Sequence, residues 1–238
     1  MDLEAIILKL DLSKTYDRIN WDFIHLMLIK IGLLVEMTRW ILACIKSANY
    51  VVLVNGMPTH FFQAQRGLRQ GCPLSPLLFL LVMECLSRMI SAARLNGCIK
   101  GIFVASTIAL THLLFVDDII IFGRCDYDEW HRLSISFKTF CTATGMVINH
   151  LKSNFLIHHA ESSIVDRILE LFPVSVQGID SSLKYLRYLL KPNCYRNIDW
   201  HWLLVKMERK LHFWCNKYLS LAGRLVLINL VLNGIPVY

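Results

Sequence analysis

The sequence is poor in the features that mark several classes of protein. Charged residues make up only 18% of its 238 positions while hydrophobic residues make up 55%, which excludes a disordered chain. Its eight cysteines include no C-x-x-C pair, and no H-E-x-x-H motif occurs, so the sequence contains no ordinary zinc site. Scattered cysteines are typical of reduced thiols, and we expect an intracellular protein, cytoplasmic or nuclear and not secreted.

No segment has the length of a membrane span or the composition of a secretory signal. The longest apolar run, Leu77 to Met83, stops at Glu84 and is far shorter than a span. The amino terminus has no basic region before its first apolar run, which excludes a secretory signal. We therefore expect no membrane partner.

The chain does have an excess of positive charge. Its 25 lysines and arginines against 18 acidic residues give a net charge of +7, which weakly favours a polyanionic partner. A length of 238 residues is enough for one large domain or two small ones.

Two adjacent aspartates interrupt the most strand-like stretch of the chain. Asp117 and Asp118 lie between the apolar runs Leu113–Val116 and Ile119–Phe122, whose β-branched and aromatic residues predict two strands of a hairpin. Asp-Asp is a poor turn sequence, and two carboxylates between apolar strands repel each other. A Mg²⁺ ion would relieve that repulsion. Taken alone, the pair fits a metal site at a hairpin tip and a solvated acidic turn equally well.

A third aspartate makes the metal site the favoured interpretation. The apolar run from Ile6 to Leu10 predicts a central strand that ends at Asp11. Three aspartates on two neighbouring strands could hold two Mg²⁺ ions about 3.5–4 Å apart, the arrangement that supports in-line phosphoryl transfer.

Three motifs around these aspartates resemble the signatures of one enzyme family. Phe115 to Asp118 resembles the [Y/F]-x-D-D box of reverse transcriptases, Leu10 to Asp17 resembles their first palm motif, and Arg66 to Pro76 resembles the motif between them. All three occur in the family's order and at its spacing. The resemblance runs over essentially the whole chain and is closest to reverse transcriptases of LINE-type (non-LTR) retrotransposons of the plant kind.

The resemblance implies an RNA-directed DNA polymerase, a nucleotidyltransferase that extends a DNA primer on an RNA template with deoxynucleoside triphosphates. It implies two Mg²⁺ ions, with Mn²⁺ as an alternative. The catalytic and metal-binding residues would be Asp11, Asp117 and Asp118, with the backbone carbonyl of Leu12 as a further metal ligand. The nucleotide-binding residues would be Tyr16, Gln70, Gly71 and Lys152. Core packing remains an alternative for Tyr16, and a plain surface position remains one for Lys152.

The resemblance also implies basic residues that contact nucleic acid. These are Arg66, Arg69, Lys206, Arg209, Lys210, Lys217 and Arg224. The alternative for Arg66 and Arg69 is an ordinary solvated loop, and their position between the two aspartate motifs favours function. Aromatic residues are interleaved with the last five of these, whose phosphate contacts would give sequence-independent, salt-sensitive affinity. The alternative for that segment is an amphipathic helix that packs on the palm, and both interpretations can hold at once.

The fold we expect is α+β, with an antiparallel polymerase palm sheet backed by helices and followed by a helical thumb. The palm, with partial fingers elements, would take residues 1–190 and the thumb residues 191–238. The sequence predicts a first strand at Ala5–Leu12, a hairpin with an Asn55-Gly56 turn, a helix at Pro76–Asn96 capped by Ser75, and a helix at Tyr127–Thr144. The other predicted helices are Trp21–Ile31 behind an Asn20 cap, Val35–Ala48, Ser163–Phe172 and two within Ile198–Leu232.

Some positions depart from the family pattern. Met146 replaces the usual glutamine of a G-Q-x-I-N-x-x-K-S motif at Gly145–Ser153, and Arg187 stands where glycine is usual in the K-Y-L-G primer-holding strand pair. Only ten residues precede Asp11, so most of the fingers would be missing. We therefore expect a truncated chain with little polymerase activity. The alternative function is an inert retroelement remnant that at most binds nucleic acid, and a nuclease fits less well because the middle motif is typical of polymerases.

Overall fold

The computed structural model describes residues 5–103, 108–158, 161–178, 183–185, 188–190, 195–214, 220–226 and 228–229. Contacts between Cα atoms divide the chain into two compact units, Met1–Ile179 and Asp180–Tyr238. The division into a palm at residues 1–190 and a thumb at residues 191–238 stays a prediction.

The described parts of the chain form short strands and longer helices. The strands are β1 (Ala5–Leu10), β2 (Asn49–Tyr50), β3 (Leu53–Val54), β4 (Met57–Pro58), β5 (Phe62–Gln63), β6 (Ile102–Phe103), β7 (Ala109–Leu110), β8 (His112–Phe115), β9 (Asp118–Arg124), β10 (Asn154–His158), β11 (Ser175–Gly178), β12 (Leu183–Tyr185) and β13 (Tyr188–Leu190). The helices are α1 (Thr15–Arg18), α2 (Trp21–Lys30), α3 (Val35–Lys46), α4 (Leu74–Leu95), α5 (Tyr127–Thr144), α6 (Ser162–Leu171), α7 (His201–Trp214) and α8 (Leu221–Val226).

The first unit is organised around a five-stranded sheet in the order β11-β10-β1-β9-β8. β1 is the central strand and pairs antiparallel with both β10 and β9. Its apolar sequence suits that position, because Ile6, Leu8 and Leu10 are completely buried. α2, α4 and α5 contribute Ile24, Phe79 and Trp130 to the same hydrophobic core. The sheet and its helices confirm the α+β class.

The sequence predicts an antiparallel sheet, but the observed sheet also contains one parallel pair of strands. β11 pairs parallel to β10 at one edge. The reason is the connection between them, because α6 crosses from the end of β10 to the start of β11, and a parallel pair requires such a crossover.

Several helix ends follow the predicted local signals. The Asn20 side chain caps α2 by accepting a hydrogen bond from the N–H of Asp22 (2.8 Å). α5 begins after Asp126, which caps it in the same way, and ends at Gly145 with a φ of +77°. The turn at Asn55-Gly56 has φ values of +51° and +82°, as the sequence predicts for a tight hairpin.

The start of α4 corrects one prediction. Ser75 is not its N-cap, since the helix begins at Leu74 with Pro73 in the capping position. The Ser75 hydroxyl instead donates to the carbonyl of Arg69 (2.7 Å), which closes the preceding loop onto the helix. Pro76 still costs no hydrogen bond, because it lies among the first four N–H groups, which have no partner within the helix.

By length and composition α4 is the one described helix that could cross a membrane. Core helices meet the same criterion, so this is weak evidence. Seven residues of α4 are buried in the first unit, among them Phe79, Val82 and Leu86.

The second unit contains a small hairpin and the last helices. β12 and β13 pair antiparallel, with Tyr185 opposite Tyr188. Arg187, which the sequence analysis singled out, lies outside the described residues, as does Lys217. Lys206 and Arg209 lie on α7 and Arg224 lies on α8, while the side chain of Lys210 is outside the described part of the chain.

Candidate active site

Asp11 directly follows the central strand and is held by a segment far away in the sequence. Its N–H donates to the hydroxyl of Ser153 (3.0 Å), and its carbonyl accepts from the N–H of Asn149 (2.8 Å). The Asn149 side-chain amide also donates to the Asp11 carboxylate (3.1 Å). Leu12 forms an isolated antiparallel bridge with Ile148. The carboxylate of Asp11 therefore has a fixed position and orientation.

The other two aspartates lie at the β8–β9 hairpin, one residue away from the expected register. Phe115 is paired with Asp118, so the turn consists of Val116 and Asp117 rather than of the two aspartates. Val116 has a φ of +56°, which is unfavourable for a β-branched residue. Asp117 is exposed in the turn, whereas Asp118 is half-buried as the first residue of β9.

The three carboxylates influence one another electrostatically. Burial raises the pKa of Asp118 above its ordinary value, Lys9 lowers it, and the charges of Asp117 and Asp11 raise it further. Asp118 therefore lies within the electric field of both other aspartates, a combination that disfavours three negative charges without a cation.

Seven of the eight residues predicted to bind metal or nucleotide line one open cavity of about 920 Å³. The predicted members are Asp11, Leu12, Tyr16, Gln70, Gly71, Asp117 and Lys152. Asp118 is not among the lining residues of this cavity. The cavity also contains Lys14 and Arg18, two cations that the sequence analysis did not identify as site residues. Residues from four separate stretches of sequence are thus brought together.

Tyr16 lies in this cavity and packs on the core. Its ring stacks on that of Phe79, with centroids 4.8 Å apart and an angle of 8° between the planes. Burial and the nearby charge of Asp117 raise the pKa of the Tyr16 hydroxyl. The side chain therefore has both features that the sequence left as alternatives, since it packs on the core and also faces the cavity.

The loop that carries Gln70 and Gly71 is tied to the segment after Asp11. The N–H of Leu68 donates to the carbonyl of Tyr16 (2.6 Å), and the N–H of Gly67 donates to the carbonyl of Ile19 (2.8 Å). The indole of Trp21 donates to the carbonyl of Gly67 (2.7 Å). These bonds place the motif at Arg66–Pro76 beside the motif at Leu10–Asp17.

The two arginines of this loop take different positions. Arg66 lines a second, smaller cavity of about 360 Å³, together with Arg18. Arg69 is exposed and lines neither cavity.

Sequence reasoning missed Asn149 and Ser153 as residues that hold Asp11. Both belong to the G-x-x-I-N-x-x-K-S pattern, from which only Lys152 was singled out. Met146 of the same pattern is buried in the core, which explains why an apolar side chain is tolerated there. The polar residues of this motif could therefore have been identified as candidates for holding the Asp11 carboxylate in position.

The donor set suits a hard divalent cation only in part. Within the described residues, no group of three or more His, Cys, Asp or Glu side chains is arranged to hold a metal ion. Asp11 and Asp117 nevertheless share the cavity, and magnesium sites commonly use one or two carboxylates together with substrate phosphates. Two carboxylates that line one open cavity meet that requirement.

A family profile described as "Reverse transcriptase (RNA-dependent DNA polymerase)" matches residues 2–190. This range contains all three aspartates and the whole candidate cavity.

Three curated relatives agree with that match. An uncharacterised mitochondrial protein of Arabidopsis thaliana is 45% identical over 108 residues, which cover 43% of this chain and 84% of that protein. The retrovirus-related Pol polyprotein from the type-1 retrotransposable element R2 of Popillia japonica is 28% identical over 60% of this chain. An uncharacterised 149 kDa protein of transposon TX1 of Xenopus laevis is 26% identical over 79% of it. The chain spans only 23% and 14% of the lengths of these two transposon proteins.

Solved structures show the same fold. Telomerase from Candida albicans, in complex with a fragment of telomeric RNA, matches 90% of this chain with a TM-score of 0.54 and 10% identity, over 36% of its own length. Apo telomerase from Candida tropicalis, truncated of its C-terminal domain, matches 67% of this chain with a TM-score of 0.51 and 18% identity, over 32% of its own length. These likenesses identify an α+β fold of the polymerase palm type.

Proposed function

This chain belongs to the reverse transcriptase (RNA-dependent DNA polymerase) family, and we propose on that premise that it adds deoxynucleotides to a DNA primer paired with an RNA template. The observation that carries the proposal is the placement of Asp11 and Asp117 in one cavity with Tyr16, Gln70 and Lys152. A nucleotide would lie in this cavity between the carboxylates and the cations.

The reaction is an in-line transfer. The primer 3′-oxygen forms a bond to the α-phosphorus, and the bond from that phosphorus to the oxygen bridging the β-phosphate breaks. Pyrophosphate leaves with the electron pair of that bond, and the hydroxyl proton passes to solvent water. Two Mg²⁺ ions, when bound, supply charge stabilisation for the attacking and leaving oxygens.

The residues of the chain divide the remaining work. Asp11 and Asp117 would hold the metal ions, with the carbonyl of Leu12 as a further ligand and Asp118 as an electrostatic support. Asn149 keeps the Asp11 carboxylate oriented through its amide. Tyr16 would lie against the sugar of the incoming nucleotide, Gln70 and Gly71 would face the new base pair, and Lys152 would contact the triphosphate.

The nucleic acid would be held mainly through phosphate contacts. Basic side chains give affinity that is independent of sequence and falls steeply with salt. We assign this role to Arg69 and, in the second unit, to Lys206, Arg209, Lys210, Lys217 and Arg224. We infer an intracellular site of action, in the cytoplasm or nucleus, because the eight cysteines are scattered and include no C-x-x-C pair, a usage typical of reduced thiols.

Primer extension on the purified protein tests this function. The assay uses an RNA template, a DNA primer, the four deoxynucleoside triphosphates and Mg²⁺. Asp11→Asn and Asp117→Asn should each lower the extension rate by at least about 10²–10³-fold, because each removes preorganised charge from the reacting phosphate. Asp128→Asn, at an exposed position on α5, is the matched control and should extend at the wild-type rate. Extension that survives both active-site substitutions would reject the proposal.

A further inference from the structure

A second cavity adjoins the candidate active site and shares one residue with it. This cavity has a volume of about 360 Å³ and is lined by Arg18, Asn20, Gln65, Arg66 and Gly145. Arg18 lines the larger cavity as well. The volume is at the small end of the range for small-molecule sites. Arg18 is thus the residue that the two cavities share.

The chemistry of the lining favours an anion. None of the five lining residues is acidic, and two of them are arginines. Asn20 uses its side-chain oxygen to accept the N–H of Asp22, which leaves its amide NH₂ group as a donor. Arginine presents a planar fork of donors that matches phosphate oxygens in pairs.

Arg18 is half-buried, and one nitrogen of its side chain lacks a protein partner. Its Nε atom is buried and has no hydrogen-bond acceptor in the protein. Among the described residues the ion pair within salt-bridge distance is Arg88–Glu84, and it does not involve Arg18. Buried donors in folded proteins are almost always satisfied, so the protein leaves part of the Arg18 guanidinium without a partner.

The walls of this cavity are fixed by backbone contacts. The N–H of Asn20 donates to the carbonyl of Thr144 (2.8 Å). Gly145 lies so close to the end of α1 that a Cβ atom there would be 2.8 Å from the Arg18 carbonyl oxygen. On the other side, the bond from Gly67 to Ile19 (2.8 Å) anchors the loop that carries Arg66. The site is therefore formed before any ligand arrives.

We propose that Arg18 and Arg66 form a binding site for inorganic pyrophosphate, the product released from the adjoining cavity. The proposal rests on the proposed polymerase function, which generates pyrophosphate where Arg18 can reach it. A diphosphate carries several negative charges, and two guanidinium groups offer it paired donors. Arg18 would receive the leaving group from the active-site cavity, and Arg66 would complete its contacts in the smaller one.

Calorimetric titration of the full chain with sodium pyrophosphate, without divalent metal or nucleic acid, tests the site directly. Arg18→Gln and Arg66→Gln should each weaken binding about 10- to 100-fold, as expected for the loss of a charge-assisted hydrogen bond. The double variant should show no measurable binding. Arg18→Lys should bind pyrophosphate more tightly than Arg18→Gln but less tightly than wild type, because lysine keeps the positive charge and lacks the paired donors of a guanidinium group. Arg94→Gln, at an exposed position near the end of α4, is the matched control and should bind like wild type.

The outcomes separate this proposal from the polymerase function. Equal pyrophosphate affinity in wild type and the double variant, or no binding by wild type, overturns the site. The proposal is also overturned if the double variant loses affinity for an RNA–DNA duplex but keeps its affinity for pyrophosphate. The two arginines would then contact template phosphates instead. Circular dichroism of each variant checks the fold. If the protein extends no primer but binds pyrophosphate in a way that depends on the two arginines, the pyrophosphate site is supported and the polymerase function is rejected.

Active protein offers a second readout. Inhibition of primer extension by added pyrophosphate should require about 10- to 100-fold more pyrophosphate in Arg18→Gln and Arg66→Gln than in wild type. An unchanged inhibition curve in both variants would contradict the proposal.

Discussion

The side-chain amide of Asn149 donates a hydrogen bond of 3.1 Å to the carboxylate of Asp11, although the two residues are 138 positions apart. The backbone reinforces this contact, because the N–H of Asn149 also donates to the Asp11 carbonyl (2.8 Å). The carboxylate therefore has one oxygen, Oδ2, bonded to the protein while Asp11 also lines the cavity. Supports of this kind orient a metal-binding carboxylate and tune its affinity.

Removal of that amide should impair catalysis without unfolding the protein. Asn149→Ala deletes the bond to the carboxylate but leaves both backbone bonds, so we expect an extension rate about 10–100-fold lower. The loss should be partly recovered at high Mg²⁺ concentration, because the variant binds the ion more weakly. Primer extension over a Mg²⁺ series measures both effects.

A matched asparagine shows whether the effect is local. Asn96→Ala, at the exposed end of α4, should extend primers with the wild-type Mg²⁺ dependence. A rate for Asn149→Ala within about twofold of wild type at all Mg²⁺ concentrations would mean that the amide does not support the metal site, since such supports usually cost at least tenfold.

Local signals allowed much of the fold to be predicted. The cap at Asn20, the helix at Tyr127–Thr144 and the Asn55-Gly56 turn all depend on a few neighbouring residues, and the structure has each of them. The central position of β1 could also be inferred, because a strand with apolar residues on both faces needs neighbours on both sides.

Features that depend on long-range packing could not be predicted. The turn at Val116-Asp117 is displaced from the aspartate pair because cross-strand pairing, and not the local preference for a turn residue, determines the register. Ser75 is diverted from capping by the carbonyl of Arg69. The meeting of Arg18 with Arg66 depends on how α1 packs against a distant loop, and no spacing in the sequence encodes it.

Tyr16 should determine which sugar the enzyme accepts. Its ring is held in the cavity by stacking on Phe79, so it cannot easily move away from a 2′-hydroxyl. Tyr16→Ala should increase ribonucleotide incorporation relative to deoxyribonucleotide, by about tenfold or more if the clash costs at least 1.4 kcal/mol. The measurement is kcat/KM for both nucleotides on the same primer–template.

Tyr16→Phe keeps the ring and is the matched control. It should discriminate between the sugars like wild type, because the clash arises from the ring and not from the hydroxyl. Unchanged discrimination in Tyr16→Ala would assign the side chain to core packing alone.

His112 should make the stability of the protein depend on pH. Burial lowers its pKa below the ordinary value of 6.5, and the charge of Glu84 opposes this effect only in part. Its ring nitrogens are engaged by Ser87 (2.9 Å) and Thr111 (2.9 Å). A histidine with a lowered pKa contributes its full stability above the unfolded-state pKa and loses it as pH falls through the folded-state pKa.

We expect the free energy of unfolding of the wild type to fall as pH is lowered from 7 to 5. The free energy of unfolding of His112→Gln should fall less steeply over the same range. Urea unfolding at each pH measures the difference. His60→Gln, at an exposed position, should keep the wild-type slope. Parallel curves for wild type and His112→Gln would show that the histidine does not contribute.

Two glycines of one loop should respond to alanine in different ways. Gly67 and Gly71 have φ values of +88° and +84°, so a side chain at either position costs about 1–2 kcal/mol of backbone strain. A Cβ at Gly67 would also lie 2.6 Å from the carbonyl oxygen of Asp17, whereas nothing lies within 4 Å of one at Gly71. Backbone atoms cannot move aside as a flexible side chain can, and such overlap typically adds about 1–3 kcal/mol.

Gly67→Ala should therefore lower the free energy of unfolding by about 2–5 kcal/mol and Gly71→Ala by only about 1–2 kcal/mol, as measured by equilibrium urea unfolding. Binding of deoxynucleoside triphosphate should instead be affected more by Gly71→Ala than by Gly67→Ala. Gly71 lines the active-site cavity, so the new methyl group would project into the space that the nucleotide needs. Steady-state extension should then show a raised KM for nucleotide in Gly71→Ala. Equal losses of stability in the two variants would mean that the loop can move away from Asp17. An unchanged KM in Gly71→Ala would place the nucleotide elsewhere in the cavity.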